Sequence, residues 1–185
     1  MLKWMAVLFW VILGGLQLAV AFELRLLVPL LLSAQSAFAA YWLLRRRKAT
    51  ANAPWWMQII AWGTVLLPMA LRVVAPSPVG SIASLLGLSL TLWSLSALGA
   101  SFGLAPADRG LVTSGPYRYL RHPMYTGELI SVLGALATNW SFWNAGVVAL
   151  LLLVLIGRIH QEEKILFGYK NYRMRTPWRF LPGVW

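Results

Sequence analysis

The sequence predicts an all-α, polytopic integral membrane helical bundle of about six transmembrane helices, with a C-terminal helical hairpin whose polar end lies on the cytoplasmic side. Three observations lead there. Of 185 residues, 59% are hydrophobic and only 11% charged, and the mean hydropathy is +0.68, well outside the range of a soluble domain. The apolar residues fall in runs near the ~20 needed to cross a hydrocarbon core. The polar chemistry is gathered in one loop and one helix end. A soluble chain of this length could not bury so much apolar surface in one core. The absence of cysteine removes disulfides, thiolate nucleophiles and cysteine metal sites, and no metal site is expected.

The first run, Trp4 to Phe22, follows Lys3 as a signal peptide would. It exceeds an h-region, however, and no small-residue cleavage site precedes Glu23-Leu24-Arg25, so a retained helix is expected. Runs from Leu26 to Leu44, Trp55 to Val74 and Ser81 to Ala100 complete four predicted spans. After a long polar loop come a shorter run, Glu128 to Thr138, and a longer one, Phe142 to Gly157, joined by Asn139-Trp140-Ser141. These form the final hairpin. Its first arm is short enough to be tilted or re-entrant, which leaves five spans as the alternative.

Arg45-Arg46-Arg47-Lys48 sets the orientation, because short basic loops stay in the cytoplasm. Six spans then place both termini inside. In this topology only Arg25 and Arg72 of the 16 basic residues lie outside. The net charge of +11 is accounted for by topology and anionic lipid, without nucleic acid. Ala49 to Pro54, the turn at Pro76-Ser77-Pro78 within Ala75 to Gly80, and Ser101 to Arg121 are the linkers within one domain, residues 1–185. Residues 1–100 serve as a membrane scaffold and 101–185 carry the chemistry.

In the polar loop, Gly115-Pro116 signals a turn, and His122-Pro123 places proline in the first turn of a helix that His122 caps. The free amides of that helix start, with Arg118 and Arg121 nearby, suit a carboxylate or phosphate. Gly127, one turn in, permits close approach of a ligand or a second helix. At the far end of the hairpin, Arg158 and Glu162 share a helix face, and Glu163 is rotated about 100° from Glu162. Closing the hairpin brings these acids beside His122. Glu128 sits inside a membrane helix, where an acid requires a partner, and Arg121 is the nearest candidate in sequence.

Gly115-Pro116-Tyr117, Arg121-His122-Pro123-Met124-Tyr125-Thr126-Gly127, Arg158 with Glu162-Glu163, Tyr169 and Tyr172, and the ending Arg179-Phe180-Leu181-Pro182-Gly183 occur in this order. Together, from about Ala105 onward, they resemble the isoprenylcysteine carboxyl methyltransferase and phospholipid methyltransferase superfamily of integral membrane enzymes. The shorter spacing from Glu162-Glu163 to Tyr169 departs from many relatives and bears on the shape of the C-terminal lid. The resemblance implies S-adenosylmethionine as cofactor, bound without a Rossmann domain, and the sequence indeed lacks a G-x-G-x-x-G after a strand. By the same resemblance Tyr117, His122, Pro123, Met124, Tyr125, Gly127, Glu162 and Glu163 bind the cofactor. Glutamates suit its ammonium and ribose hydroxyls, the helix start with Arg121 or His122 suits its carboxylate, and Tyr117, Tyr125 and Trp178 offer aromatic faces.

The expected reaction is methyl transfer to a lipophilic acceptor at the membrane interface, with carboxyl O-methylation of isoprenylcysteine or a similar lipid carboxylate first. Arg158, Glu162 and Arg121 are the catalytic candidates, and Arg158 would orient the acceptor bidentately. Phospholipid amine N-methylation is the alternative and needs a proton acceptor, for which Glu162, Glu128 or His160 is available. The expected partners are membrane lipid and the acceptor. Each residue has a plainer reading as well: His122 as a cap, Arg158 and Glu162 as a helix ion pair, Arg173 and Arg175 as headgroup anchors, Gly127 as a packing residue. A transporter would carry its charges near the bilayer midplane, and a scaffold would tolerate replacement of His122 and Glu162-Glu163.

Overall fold

The computed structural model describes residues 2–72, 77–180 and 183; Leu2 is described in its backbone only. The end of the third apolar run, Pro76 of the outer turn, and Leu181 and Pro182 of the final motif lie outside the described residues. Seven helices occur among them: α1 (Leu2–Leu24), α2 (Leu27–Arg45), α3 (Trp56–Leu66), α4 (Pro78–Leu98), α5 (Pro123–Thr138), α6 (Phe142–Ile165) and α7 (Tyr169–Arg175). A two-residue antiparallel ladder joins β1 (Ala51–Asn52) to β2 (Ala107–Asp108).

α1, α2, α4 and α6 are long and apolar enough to cross a membrane. Many of their large apolar side chains, such as Leu8, Ile12, Leu16, Leu86 and Leu153, face outward, as expected where lipid replaces water. The third expected span is shorter than the sequence predicts. α3 has 11 residues and tightens into a four-residue 3-10 turn, Leu67–Ala70, because Pro68 has no amide to continue the α-helical ladder. α5, with 16 residues, also falls short of about 20.

The helices run alternately up and down. Lys3 Nζ donates to the Leu44 carbonyl at 3.0 Å, and the Arg47 amide donates to Ala100 O at 2.8 Å, so the start of α1 and the ends of α2 and α4 share one end of the bundle. Ser33 and Ser36 of α2 donate to Gly14 O and Gln17 Oε1 of α1 at 2.9 and 2.8 Å, bonding this pair through small polar side chains. α4 and α5 approach more closely still. A Cβ at Gly127 would collide with the Gly87 carbonyl and lie 2.8 Å from the Thr91 amide, so glycine is required there for helix packing.

The expected hairpin is α5–α6. Ser141 caps α6 by accepting from the Asn144 amide at 3.1 Å. Buried Asn144 also accepts from the Arg72 amide at 2.9 Å and donates to Arg72 O at 3.0 Å, holding the chain beyond α3 against the outer end of the hairpin. Its core comprises Tyr125, Val132, Val148, Leu151, Leu155 and Ile159, with Phe180 from the C-terminal segment packed among them.

Candidate active site

The site lies at the basic end of the bundle, where α5 begins and α6 ends. His122 is the N-cap residue of α5 and Pro123 occupies its first turn, as the sequence predicts. α6 continues as one helix to Ile165, carrying Arg158, Glu162 and Glu163 to the same level. His122 Nδ1 is 3.7 Å from Glu162 Oε2, and its Nε2 is 3.4 Å from Glu163 Oε1. The imidazole is nearly parallel to the Tyr125 ring, with centroids 5.8 Å apart.

The adjacent glutamates have different surroundings. Glu163 Oε1 accepts from Tyr169 Oη at 2.6 Å, Arg179 Nε at 2.8 Å and Arg121 Nη1 at 3.1 Å, while Oε2 accepts from Arg179 Nη2 at 2.8 Å. Glu163 is the hub of the network, and its carboxylate is nearly saturated. Burial and the bond to Glu163 raise the Tyr169 phenol above its usual pKa, and burial raises that of Tyr172, so both remain neutral donors at physiological pH. The hydrogen bond with Glu163 likewise raises the Arg179 pKa. Glu162, by contrast, accepts from the Tyr125 hydroxyl on Oε1, and its Oε2 takes no hydrogen bond from the described residues. It remains available to a ligand.

A C-terminal strap holds this arrangement closed. The amides of Arg121 and His122 donate to Trp178 O and Arg179 O at 2.8 and 3.1 Å. Arg121 Nη2 donates to Pro177 O at 2.8 Å, Thr126 to Phe180 O at 3.1 Å and Thr176 to Arg118 O at 3.3 Å. From α7, the Tyr172 hydroxyl donates to Tyr117 O at 2.7 Å. Residues Thr176 to Phe180 therefore pair with the turn before α5 much as an added strand would, fixing the backbone of the R-H-P motif.

Two cavities meet here. The first, about 90 Å³, lies between Tyr117, Arg121, His122, Tyr125, Glu162, Tyr169 and Tyr172 on one side and Pro106, Ala107 and residues Arg109 to Val112 on the other. The second, about 260 Å³ and more apolar, runs into the bundle among Leu13, Leu32, Val65, Met69, Leu88, Leu95 and Val132 and includes Glu128. Phe102, Gly103, Met124 and Tyr125 line both. Arg158 stands at the wall of the apolar cavity. It donates to Thr64 Oγ1 at 2.5 Å and Leu104 O at 2.7 Å, lies 3.7 Å from Glu162, and has its guanidinium 5.2 Å from the Tyr125 ring centroid. With only 4% of its side chain exposed it is not a surface ion pair.

Tyr117, Arg121, His122, Met124, Tyr125 and Glu162 are thus brought to the polar cavity, with Arg158 at the neighbouring wall. Three expected cofactor contacts are not. Gly127 is consumed by packing against α4, Pro123 is fully buried in the first turn of α5, and Glu163 lies behind the wall, engaged with Arg121 and Arg179. Glu128 does not pair with Arg121, which is held by Glu163; it faces the apolar cavity instead. His160 is exposed, with Nδ1 2.7 Å from Ile156 O of its own helix, and Trp178 lines neither cavity. Sequence reasoning missed Asp108 and Arg109. Asp108 accepts from the amides of Gly110 at 3.0 Å and Phe167 at 3.2 Å, tying the roof of the polar cavity to the corner between α6 and α7. Although burial opposes it, these backbone bonds hold its carboxyl below the usual pKa. One of five acids in the chain, two positions before a glycine, was the available signal.

Chemically, the polar cavity offers one open carboxylate edge, aromatic faces and the guanidinium of Arg109 on the opposite wall to a ligand that bears both charges. The adjoining cavity suits a hydrocarbon chain. A family model for phospholipid methyltransferase matches residues 78–172, more than half of the chain, and spans α4, both cavity walls and the glutamate pair. Protein-S-isoprenylcysteine O-methyltransferase of Dictyostelium discoideum is 33% identical over 95 residues, covering 42% of this chain and 35% of that protein. The cobalt-zinc-cadmium resistance protein CzcN of Cupriavidus metallidurans is 35% identical over 79 residues, covering 40% and 36%. The nickel-cobalt-cadmium resistance protein NccN of Alcaligenes xylosoxydans xylosoxydans is 30% identical over 79 residues, covering 40% and 37%. In each case the match spans little more than a third of the curated relative. By the extent of the family match, together with its apolar spanning helices, this chain is an integral membrane protein of the phospholipid methyltransferase family.

Proposed function

We propose that this protein transfers a methyl group from S-adenosylmethionine to a lipophilic acceptor at the cytoplasmic boundary of the membrane. The observation that carries the reading is the common wall: Met124 and Tyr125 border both a polar cavity and an apolar one. The polar cavity fits the cofactor's chemistry. Glu162 Oε2 is open to an ammonium or ribose hydroxyl, and Tyr117 and Tyr125 present aromatic surface to a sulfonium or adenine. When bound, the cofactor would supply an electrophilic methyl group. The chain's own work is to align the acceptor and exclude water, which the strap and the apolar walls support. The gathering of basic residues at this end supports its placement in the cytoplasm.

A lipid carboxylate of the isoprenylcysteine kind is the first acceptor. Arg158 stands at the wall of the apolar cavity as a fixed positive charge that would steer an anionic head, and a carboxylate needs no base. One observation favours a second acceptor, a lipid amine. Glu128 faces the apolar cavity within electrostatic reach of Arg158, and there an ionised Glu128 would repel a carboxylate and accept an amine's proton.

Calorimetric titration of S-adenosylmethionine into the purified protein in lipid nanodiscs tests the reading. Wild type should bind, and Glu162→Gln should bind at least about tenfold more weakly, with circular dichroism confirming that the variant keeps its helical fold. Absence of wild-type binding would remove the methyltransferase proposal. Labelled methyl transfer to a prenylcysteine carboxylate and to phosphatidylethanolamine then separates the two acceptors.

A further inference from the structure

The polar cavity contains cations that are already committed and one that is not. Arg121 is bound by Glu163, Tyr169 and Pro177 O, and His122 lies between the two glutamates. Arg109, on the opposite wall, makes no side-chain hydrogen bond or ion pair with any described residue, and its Nε is buried without a partner. Its surroundings add positive charge, since Arg46 acts on it electrostatically and Arg47 reaches the neighbouring Gly110. An unpaired, half-buried guanidinium in cationic surroundings is costly unless an anion completes it.

Its placement is built into the fold. The backbone at Arg109 is fixed by Ser101 Oγ, which donates to Arg109 O at 3.1 Å, and by the Asp108 anchors on either side. The guanidinium lies against Gly103, where a Cβ would sit 2.8 Å from its Cζ, so glycine provides the seat. Glu162 and Arg109 border the same cavity, one with an open anionic edge and the other with an open cationic one.

We propose that Arg109 holds the carboxylate of the cofactor, a role that sequence reasoning gave to Arg121 or His122; this rests on the reading of the polar cavity as the S-adenosylmethionine site. Glu162 then faces the ammonium of the same amino-acid moiety, and the pair fixes the direction in which the methyl group points. Arg109 is a binding residue with no part in proton transfer.

The test is titration of S-adenosylmethionine and of its decarboxylated analogue into the full chain in nanodiscs, for wild type, Arg109→Gln and Gly103→Ala, with thermal melting as a check on folding. Wild type should prefer the intact cofactor by about tenfold or more. Arg109→Gln should erase that preference by weakening the intact cofactor while leaving the analogue within about twofold. Gly103→Ala, which displaces the guanidinium from its seat, should produce a smaller loss of the same selective kind. Equal weakening of both ligands in Arg109→Gln, unchanged binding of the intact cofactor, or a wild type indifferent to the carboxylate would overturn the inference while leaving the cofactor reading intact. A wild type that binds neither ligand would overturn both.

Discussion

The strapped end of the α5–α6 hairpin and the apolar cavity behind it are adjacent but are held in opposite ways. At the strapped end, Glu163 gathers Arg121, Tyr169 and Arg179, and backbone bonds join the C-terminal segment to the R-H-P turn. Geometry there depends on directional bonds between charged partners. The cavity behind is shaped by the volumes of Leu88, Leu95, Val132 and their neighbours from five other helical segments. Under the proposed function, the difference implies that cofactor binding and acceptor binding are separable, with Tyr125 and Met124 on the shared boundary.

Glu163→Gln should break the strapped end most severely. It leaves Arg121 buried with a neutral partner, a loss of about 3 to 5 kcal/mol for a buried pair, so both the melting temperature and cofactor affinity should fall. Retention of wild-type values in thermal melting and calorimetry would show that the hub is dispensable. Leu88→Trp acts on the other region. It fills part of the apolar cavity, and methyl transfer to a lipid acceptor should drop about tenfold or more while cofactor affinity stays within about twofold. Parallel losses of both would contradict the separation.

The smallest expected effect sharpens the comparison at the roof. Because the folded pKa of Asp108 is depressed, its contribution is present above the ordinary carboxylate pKa and is lost as pH falls through the lower folded value. Asp108→Asn keeps a single acceptor oxygen for two amides and should cost about 1 kcal/mol at neutral pH. The gap in melting temperature between wild type and variant should close on acidification below about pH 4, and a gap that stays constant would separate the carboxylate from the roof's stability.

Much of this was legible in the sequence because the strongest signals are one-dimensional. Runs of apolar residues located α1, α2, α4 and α6, and His122-Pro123 located the start of α5. The fourfold spacing of Arg158 and Glu162 placed them together on α6. Other features required three dimensions. Pro68 in an apolar run does not announce that α3 will tighten and stop, because proline is tolerated in membrane helices. Two glutamates in sequence look equivalent until Arg179 returns to saturate one of them. Gly127 served a ligand and a helix equally well on paper, and only the presence of Gly87 opposite decides for the helix. Asp108 and Arg109 gain their meaning from Phe167 and Gly103, which lie at other points of the chain.

The strap also sets an order in time. Its bonds from Arg121 to Pro177, Thr126 to Phe180 and Arg118 to Thr176 join residues 54 to 58 positions apart. Helices form and associate in the bilayer through local contacts first. Closure of the strap therefore comes late in folding, onto a bundle already assembled. Under the proposed function, local opening of these same bonds would uncover the polar cavity and let a used cofactor leave without disturbing the spanning helices.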